Sequence, residues 1–276
     1  MSKVYFASMR LTGDECIADK LKRLVRAAGI GKIDFRGKFV AVKVHFGEEG
    51  NLAFLRADYA RAVIEVIQSL GGKPFVTDAN TLYVGSRKNA LDHLDTAYRH
   101  GYNPLALGCH AIIADGLKGT DDVPVPIDGE FVKTAKIGRA IMDADALVSL
   151  THFKGHEGTG FGGALKNLGM GSGSARGKAE MHESEKPAAD RELCTACGVC
   201  RDNCAHEAIE IGDFAHVNYD RCVGCGRCIG VCPTGAMRPI AENGCEMLAR
   251  KVAEYAYAVC KGRPCFHVSL VIDVSP

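Results

Sequence analysis

The chain has 276 residues, 47% of them hydrophobic and 24% charged, with no tryptophan and a formal net charge of +1. This composition suits a globular protein with room for one large α/β unit and a small companion. Near-neutral charge, with no basic run interleaved by aromatics, excludes an electrostatic case for nucleic acid. The longest apolar run, AIMDADALVSL at 140–150, carries acids and is too short to cross a bilayer, so no membrane partner is expected. MSKVYFASMRLTGDE at the start lacks the features of a signal peptide, and a cytoplasmic location is the expectation. In that compartment clustered cysteines read as metal ligands or redox groups and not as disulfides.

In chain order, VYFASM at 4–9 predicts a strand and ECIADKLKRLVRAAG at 15–29 an amphipathic helix. GKFVAVKVHFG at 37–47 predicts a strand, and RADYARAVIEVIQSLG at 56–71 a helix stopped by Gly71 and Gly72. KPFVTDA at 73–79 predicts a strand, SRKNALDHLDTAYRHG a helix and HAIIAD at 110–115 a strand. KTAKIGRAIMDA at 133–144 predicts a helix and DALVSLTHF at 145–153 a strand. This alternation predicts an α/β domain over residues 1–186, with a largely parallel sheet and helices on both faces. No dinucleotide or P-loop motif follows any strand. A helix at 243–260 and a strand at 265–273 return to the α/β pattern. Residues 187–240 then read as a small α+β module inserted near the C-terminal end, with 241–276 rejoining the large domain.

Eight of the 13 cysteines fall inside that module. Cys194, Cys197, Cys200 and Cys204, then Cys222, Cys225, Cys228 and Cys232 with Pro233, repeat the spacing C-x2-C-x2-C-x3-C. Three thiolates two residues apart can wrap one cubane, and this spacing belongs to 4Fe-4S ligation. Zinc is the rival, but it takes four ligands per site and rarely calls for three evenly spaced thiolates twice. AIEI and HVNY flank the turn GDFA and predict a short hairpin over the cysteine loops. Gly224, Gly226 and Gly230 are expected to bring backbone N–H groups toward the sulfurs. Cys16, Cys109, Cys245, Cys260 and Cys265 fit no ligand spacing and read as buried structural thiols.

Residues 187–240 resemble the two-cluster bacterial-type ferredoxins. The resemblance implies two 4Fe-4S clusters with crossed ligation. One is held by Cys194, Cys197, Cys200 and Cys232, and the other by Cys222, Cys225, Cys228 and Cys204. Ala205 stands where that family usually has the proline that Pro233 supplies in the second run.

A second site is expected at the carboxyl ends of the strands, where open α/β sheets bind ligands. Lys43 and His45 share a face of one strand end, and Asp78 ends the next. The glycine-rich run THFKGHEGTGFGGALKNLGMGSGSARGKAEMH, 151–182, adds His152, Lys154, His156, Glu157, Lys166, Asn167 and Arg176. Such glycine density marks tight turns or backbone approaching a ligand. The candidate roles are His45, His152 and Lys154 in catalysis, and Lys43, Asp78, His156, Lys166, Asn167 and Arg176 in holding an anionic substrate or cofactor. A further metal on His45, His152, His156 and Asp78 or Glu157 is one alternative, and a solvated loop with incidental charges is another.

HFGEEGN and THFKGHEGTGFGGALKNLGMG resemble the uncharacterised domain family 362, over nearly the whole chain. Members are often fused to a two-cluster ferredoxin module, and the resemblance implies an iron–sulfur protein without specifying a reaction. The fold is similar to the lactate racemase catalytic protein, which makes nickel a remote idea. The expectation is electron transfer coupled to reduction of an anionic compound, fed by a redox partner protein or low-potential donor. Two alternatives stand beside it: a non-catalytic carrier or redox-partner subunit, and a non-redox metal-dependent isomerase or racemase with structural clusters.

Overall fold

The computed structural model describes residues 3–156, 159–240 and 244–274. The chain runs α1 (Ile17–Ala27), β1 (Phe39–Lys43), α2 (Ala57–Ser69), β2 (Lys73–Asp78), α3 (Ala90–Arg99), α4 (Pro104–Leu107) and β3 (Ala111–Ile113). It continues through β4 (Asp122–Pro126), β5 (Thr134–Gly138), α5 (Arg139–Met142), β6 (Ala146–His152), β7 (Lys154–His156) and β8 (Gly160–Gly162). Then come α6 (Ala164–Ser172), α7 (Ala175–His182), β9 (Pro187–Ala189), α8 (Val199–Asp202), β10 (Ile209–Ile211) and β11 (Ala215–Val217). The last elements are α9 (Arg227–Gly230), β12 (Met237–Pro239), α10 (Gly244–Cys260) and β13 (Cys265–Leu270).

Five strands form the central sheet in the order β13-β6-β1-β2-β3, and every pairing is parallel. The fold is thus α/β with a largely parallel sheet, as the alternation predicts. Side chains alternate across each strand, so a buried sheet needs a core on each face. Val40 and Val42 of β1, with Ala146, Val148 and Leu150 of β6, pack with α1 and α2. Ala41 and Leu147, one residue out of phase, pack instead with α6, α7 and α10 through Leu168, Met181, Leu248, Val252 and Tyr255. The strand order reverses at β1, because β2 lies on one side of it and β6 on the other. That makes the β1–β6 gap the topological switch point.

Two expectations fail locally. Residues 4–9 form no strand: Val4 and Phe6 are 91% and 88% exposed, and no neighbouring strand takes their backbone groups. Residues 133–144 are not one helix. β5 pairs antiparallel with β4, and only Arg139–Met142 turns as helix. Pro124 and Pro126 are tolerated in β4 because this two-stranded ribbon leaves each strand an open edge.

Residues 187–240 build two small antiparallel pairs, β10–β11 and β12–β9, around a separate core that includes Cys200, Ile209, Ala215, Cys228 and Met237. The hairpin expected between AIEI and HVNY is β10–β11. After this segment the chain returns through α10 to β13, which pairs with β6 at the sheet edge.

Candidate functional site

Asn167 of α6 closes the switch point. Its amide nitrogen donates to the carbonyls of Lys43 and Leu150 and to the Thr151 hydroxyl, at 3.2, 3.2 and 3.0 Å. Its amide oxygen accepts from Lys43 Nζ at 2.9 Å. One side chain therefore bridges the parting ends of β1 and β6, where an open α/β sheet leaves room for a ligand. Gly171, one helical turn on, makes space for the lysine, since a Cβ there would lie 2.6 Å from Lys43 Nζ.

Lys43 is fully buried and pairs with Asp78 Oδ1 at 2.9 Å, while Arg87 Nη1 reaches Asp78 Oδ2 at 3.2 Å. Arg87 also binds Glu48 and the Tyr83 hydroxyl. Burial alone would raise the Asp78 carboxyl, but Lys43 and His93 beside it hold it well below the usual carboxylate range. Lys43 shares this one carboxylate with Arg87, so burial dominates there and pulls the ammonium down. His93, 3.7 Å from Asp78, joins this network, and the buried Lys178 donates to the Gly173 carbonyl beside it; both are absent from the sequence expectation. Both carry a legible signal, because His93 lies in register with Ala90 and Ala97 on the buried face of α3, and Lys178 adjoins Gly177 and Met181 on that of α7. Burial pushes Lys178 down to about 8 although Asp115 lies near it.

The remaining expected residues divide. His45 Nδ1 accepts the Gly47 N–H at 2.9 Å, so the neutral ring carries its proton on Nε2 and presents a donor, not a base. Burial and the nearby Arg87 keep it neutral, well below the ordinary histidine value. His156 falls to about 4 through burial and the charges of Lys166 and Lys154; Lys154 and His156 lie on β7 and Lys166 on the first turn of α6, and the two lysine stems flank Gly162, where a Cβ would lie 3.6 and 3.8 Å from them. His152 points elsewhere and donates from Nε2 to the Ile272 carbonyl at 2.6 Å. Arg176 pairs with Asp122 at 2.7 Å, together with the α7 cap Ser174, and does not join Lys43. Glu157 lies outside the described residues. Among the described residues, no three His, Cys, Asp or Glu side chains converge to hold a single metal ion, so His45, His152, His156 and Asp78 do not assemble into the mononuclear site considered above.

The eight clustered cysteines line two cavities of about 330 and 360 Å³, counting their open mouths. Cys194, Cys197, Cys200 and Cys232 line the first, and Cys204, Cys222, Cys225 and Cys228 the second. Each cavity thus takes three cysteines from one run and the fourth from the other. Gly198 and Gly226 sit at φ +79° and +73°, the left-handed conformation that starts the short helices α8 and α9. Backbone N–H groups reach sulfur: Ala208 N donates to Cys204 Sγ at 3.3 Å. Cys232 is held below the usual thiol value, despite some burial, by N–H groups of Met237, Thr234 and Ala236. Burial pushes Cys228 up to about 12.

The second cavity abuts the α/β elements. His206, on its wall, binds the Leu82 carbonyl at 2.9 Å, and Lys88 Nζ donates to the Ala205 carbonyl at 3.0 Å. Gly224, expected to serve the sulfurs, has φ +71°, and a Cβ there would stand 2.2 Å from the His182 carbonyl oxygen. Its bare Cα is what lets this loop seat on the end of α7. The first cavity is walled only by residues 189–237. Of the other five cysteines only Cys109 is buried; Cys16 and Cys245 are exposed, and Cys260 and Cys265 are half-buried, so the expectation of buried thiols holds for one.

Comparison with known proteins adds three findings. Pyruvate synthase subunit PorD of Thermotoga maritima is 43% identical over 61 residues, 21% of this chain and 62% of that one. A ferredoxin of Pyrobaculum islandicum is 28% identical over 75 residues, 26% of this chain and 70% of its own. A crystal structure of a Thermotoga maritima protein is 13% identical with a TM-score of 0.50, covering 95% of this chain and 53% of the other, so the chain spans about half the length of that neighbour. The likeness shows a shared fold. The family described as "Domain of unknown function (DUF362)" matches residues 40–276, and the chain belongs to that family.

Proposed function

We propose that the chain is a two-cluster iron–sulfur electron-transfer protein, acting as a carrier or redox-partner subunit. One 4Fe-4S cluster would be held by Cys194, Cys197, Cys200 and Cys232, and the other by Cys204, Cys222, Cys225 and Cys228. The observation that carries this reading is the sorting of the eight thiols into two cavities, three from one run and one from the other in each. That is the ligation pattern of two-cluster ferredoxins. The donor set fits the group. A cubane presents its irons at separate corners, so its thiolates stand around a cavity, whereas zinc would draw four sulfurs onto one point at ~2.3 Å. Among the described residues no three such ligands are drawn onto one point, for zinc or for any other ion, and it is the sorting of the thiols into two cavities that favours the cubanes. Bound there, each cluster would supply a site for one electron. The protein contributes N–H groups to Cys204 and Cys232, which set the potential.

Residues 187–240 are the cluster-holding module, set between α7 and α10 of the α/β domain. Its first cavity, with exposed Cys197 on its wall, is the face for a redox partner protein, and its second faces inward through His206. The partial likenesses to a ferredoxin and to PorD favour the carrier or subunit role over a reductase. Asn167 supports it too, because it fills the gap where an α/β enzyme takes substrate.

Anaerobic reconstitution with ferrous iron and sulfide tests the proposal, with iron counted and the reduced protein read by electron paramagnetic resonance. About eight irons and two interacting signals are expected. Cys204→Ser should perturb the same signal as Cys222→Ser, and Cys232→Ser the same signal as Cys194→Ser. Tight binding of zinc with no sulfide uptake would sink the reading, and pairing of Cys204 with Cys194 would sink the crossed assignment.

A further inference from the structure

Two of the cysteines outside the cavities meet at the far end of α10. Cys260 ends that helix and Cys265 begins β13, and the turn between them uses Gly262 at φ +75° to reverse the chain. The Cys265 Sγ lies 3.7 Å from the Cys260 carbonyl oxygen and 3.5 Å from that of Arg263. Both residues are partly exposed. Arg263 holds its guanidinium beside them by donating to the carbonyls of Val259, Ile141 and Ala144 and touching the Met142 sulfur. Among the described residues it makes no ion pair with a carboxylate, so its charge is left to act on the two sulfurs.

The two thiols are inequivalent. Cys265 keeps its proton toward the Cys260 and Arg263 carbonyls, and its neighbouring thiol, aided by Arg263 and opposed by burial, brings Cys260 down to about 7, while Cys260 and burial push Cys265 up. A thiolate beside a cation and an S–H donor is the nucleophilic partner of such a pair, and the other is the resolving thiol.

We propose that Cys260 and Cys265 form a redox-active dithiol, a modification site oxidised by small-molecule disulfides to an intramolecular disulfide. In the first step the Cys260 thiolate attacks one sulfur of a disulfide R–S–S–R. The protein–S–S–R bond forms and R–S⁻ leaves, taking a proton from water. In the second step Cys265 loses its proton to solvent and attacks the Cys260 sulfur, expelling a second R–S⁻. Two protein thiols are oxidised by two electrons and one external disulfide is reduced to two thiols. The product bond ties the edge strand β13 to α10. The site is independent of the iron–sulfur reading. α10 is 17 residues long, about 25 Å at the helical rise, and its opposite end packs on Ser184 next to the cysteine module.

The experiment exposes the full chain anaerobically to oxidised glutathione, quenches with an alkylating agent and maps peptides by mass spectrometry. Cleavage after Lys261 separates the two cysteines, so a bond between them appears as a linked peptide pair. The expected result is that linked pair in the native chain and a stable glutathione adduct on Cys260 in Cys265→Ser. In Cys260→Ser, modification of Cys265 should be on the order of 10-fold slower. Cys265→Ala repeats the trapping without a hydroxyl. The proposal is overturned if Cys16 takes glutathione while no Cys260–Cys265 link forms, or if Cys265 is modified in Cys260→Ser as fast as Cys260 is in Cys265→Ser.

Discussion

Lys43 shows what a residue can reveal from sequence and what it conceals. A lysine at the end of an apolar strand, two before His45, reads as a group facing a ligand. In the folded chain it is fully buried, and Asp78 and Asn167 take its ammonium at 2.9 Å each. Removing one partner of a buried pair strands the other, which usually costs more than the pair contributes. Lys43→Met should therefore lower the unfolding free energy by about 3 kcal/mol, because Arg87 still reaches Asp78 and moderates the loss. Urea titration checks it. The pH dependence has a definite sign. Asp78 is depressed in the fold, so its contribution is fully present above the unfolded carboxylate value of about 4 and is lost as pH falls through the folded value. Lys43→Met should flatten that acid limb. If the variant matches the native chain at both pH 7 and pH 3, the network is incidental.

At the scale of elements, α10 is legible in the sequence as a helix, whereas α6 lies hidden in the glycine-rich run, and so does the contact between them. Gly169 is the reason they come so close, since a Cβ at that position would stand 2.1 Å from the Val252 carbonyl oxygen. An alanine in a helix ordinarily stabilises relative to glycine by up to about 1 kcal/mol. Here the backbone of α10 blocks it, and Gly169→Ala should instead destabilise by about 3 kcal/mol, seen as an earlier urea midpoint at unchanged slope. A stabilised variant would show that the helices separate freely. The β4–β5 ribbon teaches the converse lesson. TAKIG fits a helix when read alone, and the ladder from Asp122↔Gly138 to Pro126↔Thr134 makes it a strand. Local propensity is a weak prior once a partner strand is available.

The whole molecule has one architectural consequence that can be checked directly. The two cores flanking the central sheet contain no residue from 187–240, whereas Leu248, Val252, Tyr255 and Ala256 of α10 belong to one of them and Val268 and Leu270 of β13 to the other. Replacing 187–240 by a short Gly–Ser linker should leave a cooperatively folded α/β protein that binds no iron. Cutting the chain at 240 should leave one that fails to fold, because it loses the edge strand and a helix face together. Circular dichroism and thermal melts of the two variants distinguish them. Equal stability of both would argue that α10 and β13 are dispensable.

The eight cysteines and their spacing carry the proposal of iron–sulfur ligation in sequence alone, because ligand spacing along a short loop is a local property that folding preserves. The strand–helix alternation carried the parallel sheet for the same reason, since periods of 2 and 3.6 are written residue by residue. The tertiary structure decided which candidates meet. It drew Lys43, Asp78 and Asn167 into one buried network, turned His152 to the Ile272 carbonyl and Arg176 to Asp122, and added His93 and Lys178. Those outcomes depend on contacts between residues tens to more than a hundred positions apart. Only packing selects among such partners, because a polar side chain leaving water must take whichever donor or acceptor the fold sets beside it.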